Sequence, residues 1–374
     1  MMQKLSGRLG PVRSVHRFWH PGLEASTISI GTLSVLVVRE NMDSWRPIGL
    51  LLIGVLIGAT LSLTDFGFSS AFRRAAVDSD YSTFRGHALM LTIGSILMVP
   101  VIHMGSFFGH SVEGVATPIG LSLISGGILF GIGMQLSGGC ASGTLFLLGR
   151  GNLKFLLTLL TFVIGSTFGA AHYGFWHNLP SLGPVTVFDF GNWPFALLTE
   201  VILLACAFRW LPSKTHLSRK ISGGAVGLAV LNGATLLVAG RPWSETFGFA
   251  LWGSKIAAQL GFDPSTWEFW HGADVKGLSI LQDTTSIMDF AIIAGAMLAA
   301  SMGKRFELRI GWDWRAWLSA AVGGLMMGYG ARLSDGCNIG AYFSAIVSGS
   351  LSGYVWAVAA LIGSALGVRI RGRN

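Results

Sequence analysis

The stretch GGILFGIGMQLSGGCASGTLF, Gly126 to Phe146, recurs as GGLMMGYGARLSDGCNIGAYF, Gly323 to Phe343. At a constant offset of 197, ten of 21 positions are identical. They include Gly126/Gly323, Gly131/Gly328, Gly133/Gly330, Ser137/Ser334, Gly139/Gly336, Cys140/Cys337 and Gly143/Gly340. The likeness continues in VIGSTFG (163–169) and LIGSALG (361–367), and more faintly in GATL at 58–61 and 233–236. The chain therefore reads as two related halves, about 45–175 and 218–370, joined by one apolar segment at 191–210.

The surroundings of the repeat place it in a bilayer. Of 374 residues, 51% are hydrophobic and 12% charged, against about 25% charged in soluble domains. Apolar runs of spanning length fall near 47–63, 86–104, 116–136, 154–174, 191–210, 221–240, 284–302, 316–334 and 352–369. Shorter apolar pieces at 65–77, 141–150, 243–257 and 339–349 read as re-entrant. The fold class expected is an all-α integral membrane protein of about nine transmembrane helices plus short re-entrant helices. Four spans plus one linker span make an odd offset, so the halves are expected to be inverted-topology repeats, as in many transporters. There the substrate site lies near the midplane, at broken helices.

Charge supplies an orientation. Arg73, Arg74, Arg85, Arg150, Lys154, Arg209, Lys214, Arg219, Lys220, Lys304, Arg305, Arg309, Arg369, Arg371 and Arg373 fall on one side. The opposite segments 105–115 and 175–190 are almost without Lys or Arg. The positive-inside rule then puts the C-terminus in the cytoplasm of an inner-membrane, multi-pass protein. The net charge of +8 is accounted for by these loops and does not point to nucleic acid. Nine spans place the N-terminus outside, which the basic residues Lys4, Arg8, Arg13, Arg17 and Arg39 contradict. The apolar stretch 28–38 is short for a span. Residues 1–41 thus read as a leader or a misassigned start, with Met42 the expected true start and 42–374 the transmembrane transport domain. Intact-mass analysis checks that expectation, and a peptide covering Leu5–Arg13 counts against it.

The chemistry sits in the repeated turn. Ser137-Gly138-Gly139 breaks a helix, and Cys140 falls at the N-terminus of the short helix that follows. Free backbone N–H groups and the helix dipole favour an anion there. A thiol adds a weak, polarizable donor suited to sulfur or selenium. Ser334-Asp335-Gly336-Cys337 repeats the arrangement. The expected substrate-binding residues are Cys140, Cys337, Gly139, Gly336, Ser137, Ser334, Asn338 and Arg332. Arg332 and Asp335 replace Gln135 and Gly138. They read either as a local pair three residues apart, or as an anion-attracting Arg332 with Asp335 capping the short helix or carrying a proton. Cys206, in an ordinary span, reads as a small buried hydrophobe. No metal-ligand spacing, cofactor loop, ATP-binding loop or base paired with either cysteine is visible, so neither an enzyme nor a cofactor is expected.

At the doubled G-x-G-x-x-x-S-x-G-C-x-x-G turn and the RPWSETFGFALWG stretch (241–253), the chain resembles the YeeE/YedE family of sulfur-compound transporters. The resemblance covers roughly 45–370. It implies an inner-membrane importer of a small sulfur-containing anion, thiosulfate foremost, with selenium or other sulfur species as the alternative. It implies that pathway cysteines pass the anion through S–H hydrogen bonds, and that a cytoplasmic TusA-type sulfur carrier accompanies the transporter. Thiosulfate-importing members carry a further cysteine in the first re-entrant segment. Here that stretch is Asp65-Phe66-Gly67-Phe68, with no thiol, which counts against a three-thiol relay and bears on thiosulfate as the substrate. A membrane sulfurtransferase with a persulfidated cysteine is the other reading, and a third is an assembly or anchoring subunit in which the cysteines are dispensable.

Overall fold

The computed structural model describes residues 21–311 and 313–372. Lys4, Arg8, Arg13, Arg17 and Arg373 lie outside the described residues. The long helices are α1 (Pro21–Glu40), α2 (Arg46–Thr64), α4 (Ser82–Met104), α5 (Leu121–Ser137), α7 (Lys154–Ala171), α9 (Trp193–Trp210), α10 (Arg219–Ala239), α12 (Thr284–Met302), α13 (Trp314–Leu333) and α14 (Ser352–Arg371). The four short apolar pieces form α3 (Phe68–Asp78), α6 (Ala141–Gly149), α11 (Thr246–Gln259) and a π-helical turn, Asn338–Ser344. A further short helix, α8 (Tyr173–His177), follows α7. Among the described residues, nine helical segments are long and apolar enough to cross a membrane.

Their membership differs from the sequence reading at two places. The first is α1, whose 20 residues exceed the apolar stretch 28–38. It runs antiparallel along α12. Near its start, Gly22 lies against Ser301 and Phe306. Past its end, Asn41 donates to the Leu281 carbonyl at 2.9 Å, and Gln282 to the Glu40 carbonyl at 3.2 Å. The second is α13, which falls short on apolarity. It packs between α5 and α7 at the centre of the bundle, where protein replaces lipid and small or polar residues are tolerated.

The repeat is visible as swapped contacts. A Cβ on Gly126 would lie 2.6 Å from the Gly330 carbonyl, and one on Gly323 2.6 Å from the Gly133 carbonyl. Gly131 faces Ser364 as Gly328 faces Ser166, and Gly165 faces Leu325 as Gly363 faces Ile128. Early α5 therefore meets late α13, and the reverse. Such reciprocity places a two-fold axis across the antiparallel helices, in the membrane plane. The missing Cβ atoms let these backbones touch.

One face of the bundle is tied together by basic side chains. Arg150 pairs with Asp65 at 2.7 Å and Arg305 reaches the same carboxylate at 3.7 Å. Lys214 donates to the Asp78 carbonyl and Arg85 to that of Leu211. The opposite face carries short β-pairs, Ser106–Phe107 with His110–Ser111 and Pro118–Gly120 with Ser181–Pro184.

Candidate functional site

Each half ends a long helix, turns, and restarts at cysteine. Gly138 closes α5 at φ 82°, and its counterpart Asp335 adopts φ 53°. Aspartate tolerates this left-handed conformation better than most residues. The Ser137 hydroxyl donates to the Gly139 carbonyl at 2.8 Å, and that of Ser334 to the Gly336 carbonyl at 3.3 Å. These serines hold the turns closed. Gly336 has no room for a side chain, since a Cβ there would lie 2.5 Å from Ala341 N.

Cys140 occupies the N-cap of α6, where its sulfur accepts from Gly143 N at 3.4 Å and lies 3.3 Å from the Ser142 hydroxyl. Cys337 occupies the N-cap of the Asn338–Ser344 turn and accepts from Ile339 N at 3.4 Å. Both thiols are buried. Cys337 also donates to Glu245 Oε2 at 3.7 Å. Glu245 lies within electrostatic range of Cys140, and the two thiols within range of each other. The turns thus bring Cys140, Cys337, Gly139, Gly336 and their serines to one central region. Asn338 is fully buried there, with neither side-chain polar atom bonded among the described residues. Cys206, half-buried on α9, is not among these residues.

Three expectations are corrected. Arg332 and Asp335 do not form an ion pair among the described residues. Arg332 donates to the Thr246 hydroxyl at 2.5 Å and lies over the Phe269 ring, 5.2 Å from its centre. Asp335 instead bonds Tyr173 Oη at 3.1 Å and His177 Nε2 at 3.2 Å. Nor does Asp335 cap the short helix, because the Cys337 sulfur takes that position. Finally, Cys337 has a carboxylate neighbour that could serve as a base, Glu245, where the sequence reading found none.

The two ends of the site differ. Beyond Cys140 lies a cavity of about 450 Å³ lined by Arg73, Gln135, Gly138, Lys154 and Arg371 among others. Lys154 donates to the Ser137 carbonyl and Arg371 to the Gln135 carbonyl, each at 2.9 Å. These cations complete the C-terminal carbonyls of α5. On the other side, α8 closes over Asp335. Burial by itself pulls the His177 imidazole down, but the hydrogen bond and charge of Asp335 outweigh it and raise it above an ordinary histidine. A raised histidine holds its ion pair in full below the ordinary value and loses it as pH rises through the raised one. Amide protection over 173–177, corrected for intrinsic exchange, is therefore expected to hold at pH values below the ordinary histidine value of about 6.5 and to fall as pH rises above it. Flat protection would show that the pair does not hold α8.

An inverted-repeat bundle with paired broken helices at its centre is an architecture common among membrane transporters. The chain belongs to the Sulphur transport family, whose profile matches residues 63–366, and the YeeE/YedE resemblance is borne out. It is similar to thiosulfate transporter TsuA of Spirochaeta thermophila, 26% identical over 340 residues, 84% of this chain and 96% of that one. It is 25% identical to thiosulfate transporter TsuA of Escherichia coli over 315 residues, 78% of this chain and 84% of that one. A probable transporter of E. coli, YedE, is 30% identical over 132 residues, 35% of this chain and 33% of that one. The chain is a multi-pass membrane protein of a sulfur-transport family.

Proposed function

We propose that this protein imports a small sulfur-containing anion, thiosulfate foremost, across the cell inner membrane through a central pathway at the two Gly–Cys turns. The observation that carries the reading is the placement of two buried thiols as helix N-caps at pseudo-symmetric positions. Each offers an S–H donor beside backbone N–H groups, a suitable cradle for a soft anion. Arg332 adds a buried positive charge near Cys337. Asn338 supplies uncommitted donor and acceptor atoms. The names of the TsuA relatives support thiosulfate over a selenium species. The protein acts as a transporter and not as an enzyme. A TusA-type carrier on the cytoplasmic face would receive the imported sulfur.

The C-terminus is cytoplasmic in this reading. With both α1 and α13 crossing, the start of α1 lies on the same side as Arg369 and Arg371. A single cysteine placed at Glu24, labelled by an impermeant reagent only after the inner face is opened, is the expected result. Labelling in intact cells would reverse the placement.

The proposed function is tested by uptake of radiolabelled thiosulfate into cells lacking other importers. Uptake dependent on this chain is expected. Without it, thiosulfate is the wrong anion, and uptake of labelled selenite is the next assay. The Cys337–Glu245 contact favours one second reading, a persulfide-carrying thiol, and the variants discussed below separate the two.

A further inference from the structure

The centre of the bundle holds two carboxylates that the anion pathway does not explain. Glu245 and Asp289 are both fully buried. Oε1 of Glu245 and both carboxylate oxygens of Asp289 find no hydrogen-bond partner among the described residues. Neither makes an ion pair among those residues. The two interact electrostatically, and Gly248, one turn into α11 from Glu245, lets Asp289 come close: a Cβ there would lie 3.0 Å from Asp289 Oδ2.

The groups around Glu245 are mostly anionic or neutral. Cys337 faces it from the turn after α13 and Cys140 from the start of α6. Asp289 faces it from α12, with Asp283 beyond at the N-cap of that helix. The nearby cation, Arg332 on α13, is engaged by Thr246 and by the Phe269 ring. Keeping a carboxylate charged and unpaired away from water is so costly that such groups exchange protons instead. An anion arriving at Cys337 would meet Glu245 at hydrogen-bond range of the same sulfur. It is tolerated there when Glu245 carries a proton.

We propose that Glu245 is the proton-coupling group of this transporter, with Asp289 as its relay, so that one proton enters with each anion. The inference rests on the proposed anion import and adds the coupling ion. The proton binds a carboxylate oxygen of Glu245 when the anion docks at Cys337. It is released to water on the inner side when the anion leaves. No covalent bond to the anion forms.

The test uses the purified full chain in lipid vesicles, with the membrane potential clamped at zero and radiolabelled thiosulfate outside. One coupled proton predicts that steady-state accumulation rises about tenfold for each unit by which the outside is more acidic. In Glu245→Gln, accumulation becomes independent of the pH gradient. Thiosulfate entry that ignores the gradient in the unmodified protein, or follows a sodium gradient instead, overturns the inference while leaving import intact. A steep dependence retained in Glu245→Gln removes Glu245 from the role. If that variant does not transport, the slope in the unmodified protein still decides whether protons are coupled, and Asp289→Asn, expected to flatten that slope, decides the site. No thiosulfate entry under any gradient brings down the proposed function, and this inference with it.

Discussion

Cys140→Ala and Cys337→Ala are each expected to lower thiosulfate uptake by about tenfold to a hundredfold at unchanged membrane abundance. The magnitude follows from the loss of one hydrogen bond to a charged ligand, about 1.5–3 kcal/mol, at tenfold per 1.4 kcal/mol. The substitutions are small, and both thiols sit at helix N-caps where a neighbouring backbone N–H is their donor, so folding should tolerate the change. Loss is expected in both variants because the two turns act in series. Cys337→Ser discriminates further. A hydroxyl still carries one O–H donor, which can turn from Glu245 to an arriving anion, so a hydrogen-bonding pathway retains part of its activity. A persulfide carrier loses everything in serine as in alanine, and shows a trapped adduct on the unmodified protein. Full uptake in both alanine variants would leave the protein an importer and remove the turns from its mechanism.

Gly126→Val and Gly323→Val are expected to destabilise the detergent-solubilised protein equally, lowering its melting temperature by about 5 °C or more. The atoms in the way are backbone: the Gly330 carbonyl and Ser334 N for the first, the Gly133 carbonyl and Ser137 N for the second, all within 2.6–2.7 Å of the added Cβ. Backbone inside two packed helices cannot rotate aside as a flexible side chain would. The equality is the sharper part, since these positions are related only by the pseudo-two-fold. Gly223→Val, on α10 with nothing within 4 Å, is the control and should melt normally. A large difference between Gly126 and Gly323 would mean that the two halves do not share the load at this crossing.

Much of the architecture was legible because glycine and cysteine recur with a fixed offset. That pattern located the paired helices and both turns, and the lengths of the apolar runs located the four short helices. What escaped it has specific causes. The helix α1 looks too short in sequence because Glu24, Ser26 and Thr27 precede the apolar stretch 28–38 and Arg39 and Glu40 follow it. In the structure Ser26 bonds the Leu23 carbonyl at 2.8 Å and Ser34 that of Ile30 at 2.7 Å, so their hydroxyls are satisfied within the helix and cost little in lipid. The Arg332–Asp335 pair assumed helical spacing, but α13 ends at Leu333 and Asp335 turns away at φ 53°. Its partner His177 lies 158 residues upstream, beyond any local reading. Glu245 lies in the RPWSETFGFALWG stretch, where the sequence alone does not show its burial. Asp289 is a lone acid in an apolar run, the kind of signal in a sequence that marks intramembrane function.

The burial of the two thiols has a kinetic meaning. Cys140 is 1% exposed and Cys337 is fully enclosed, so the described conformation offers no route for an alkylating reagent to either sulfur. Reaction must wait for an excursion that admits water, and its rate therefore measures how often each side of the bundle breathes. A reagent supplied from one compartment would time the opening toward that compartment, and the substrate's effect on that rate would show which excursion it promotes.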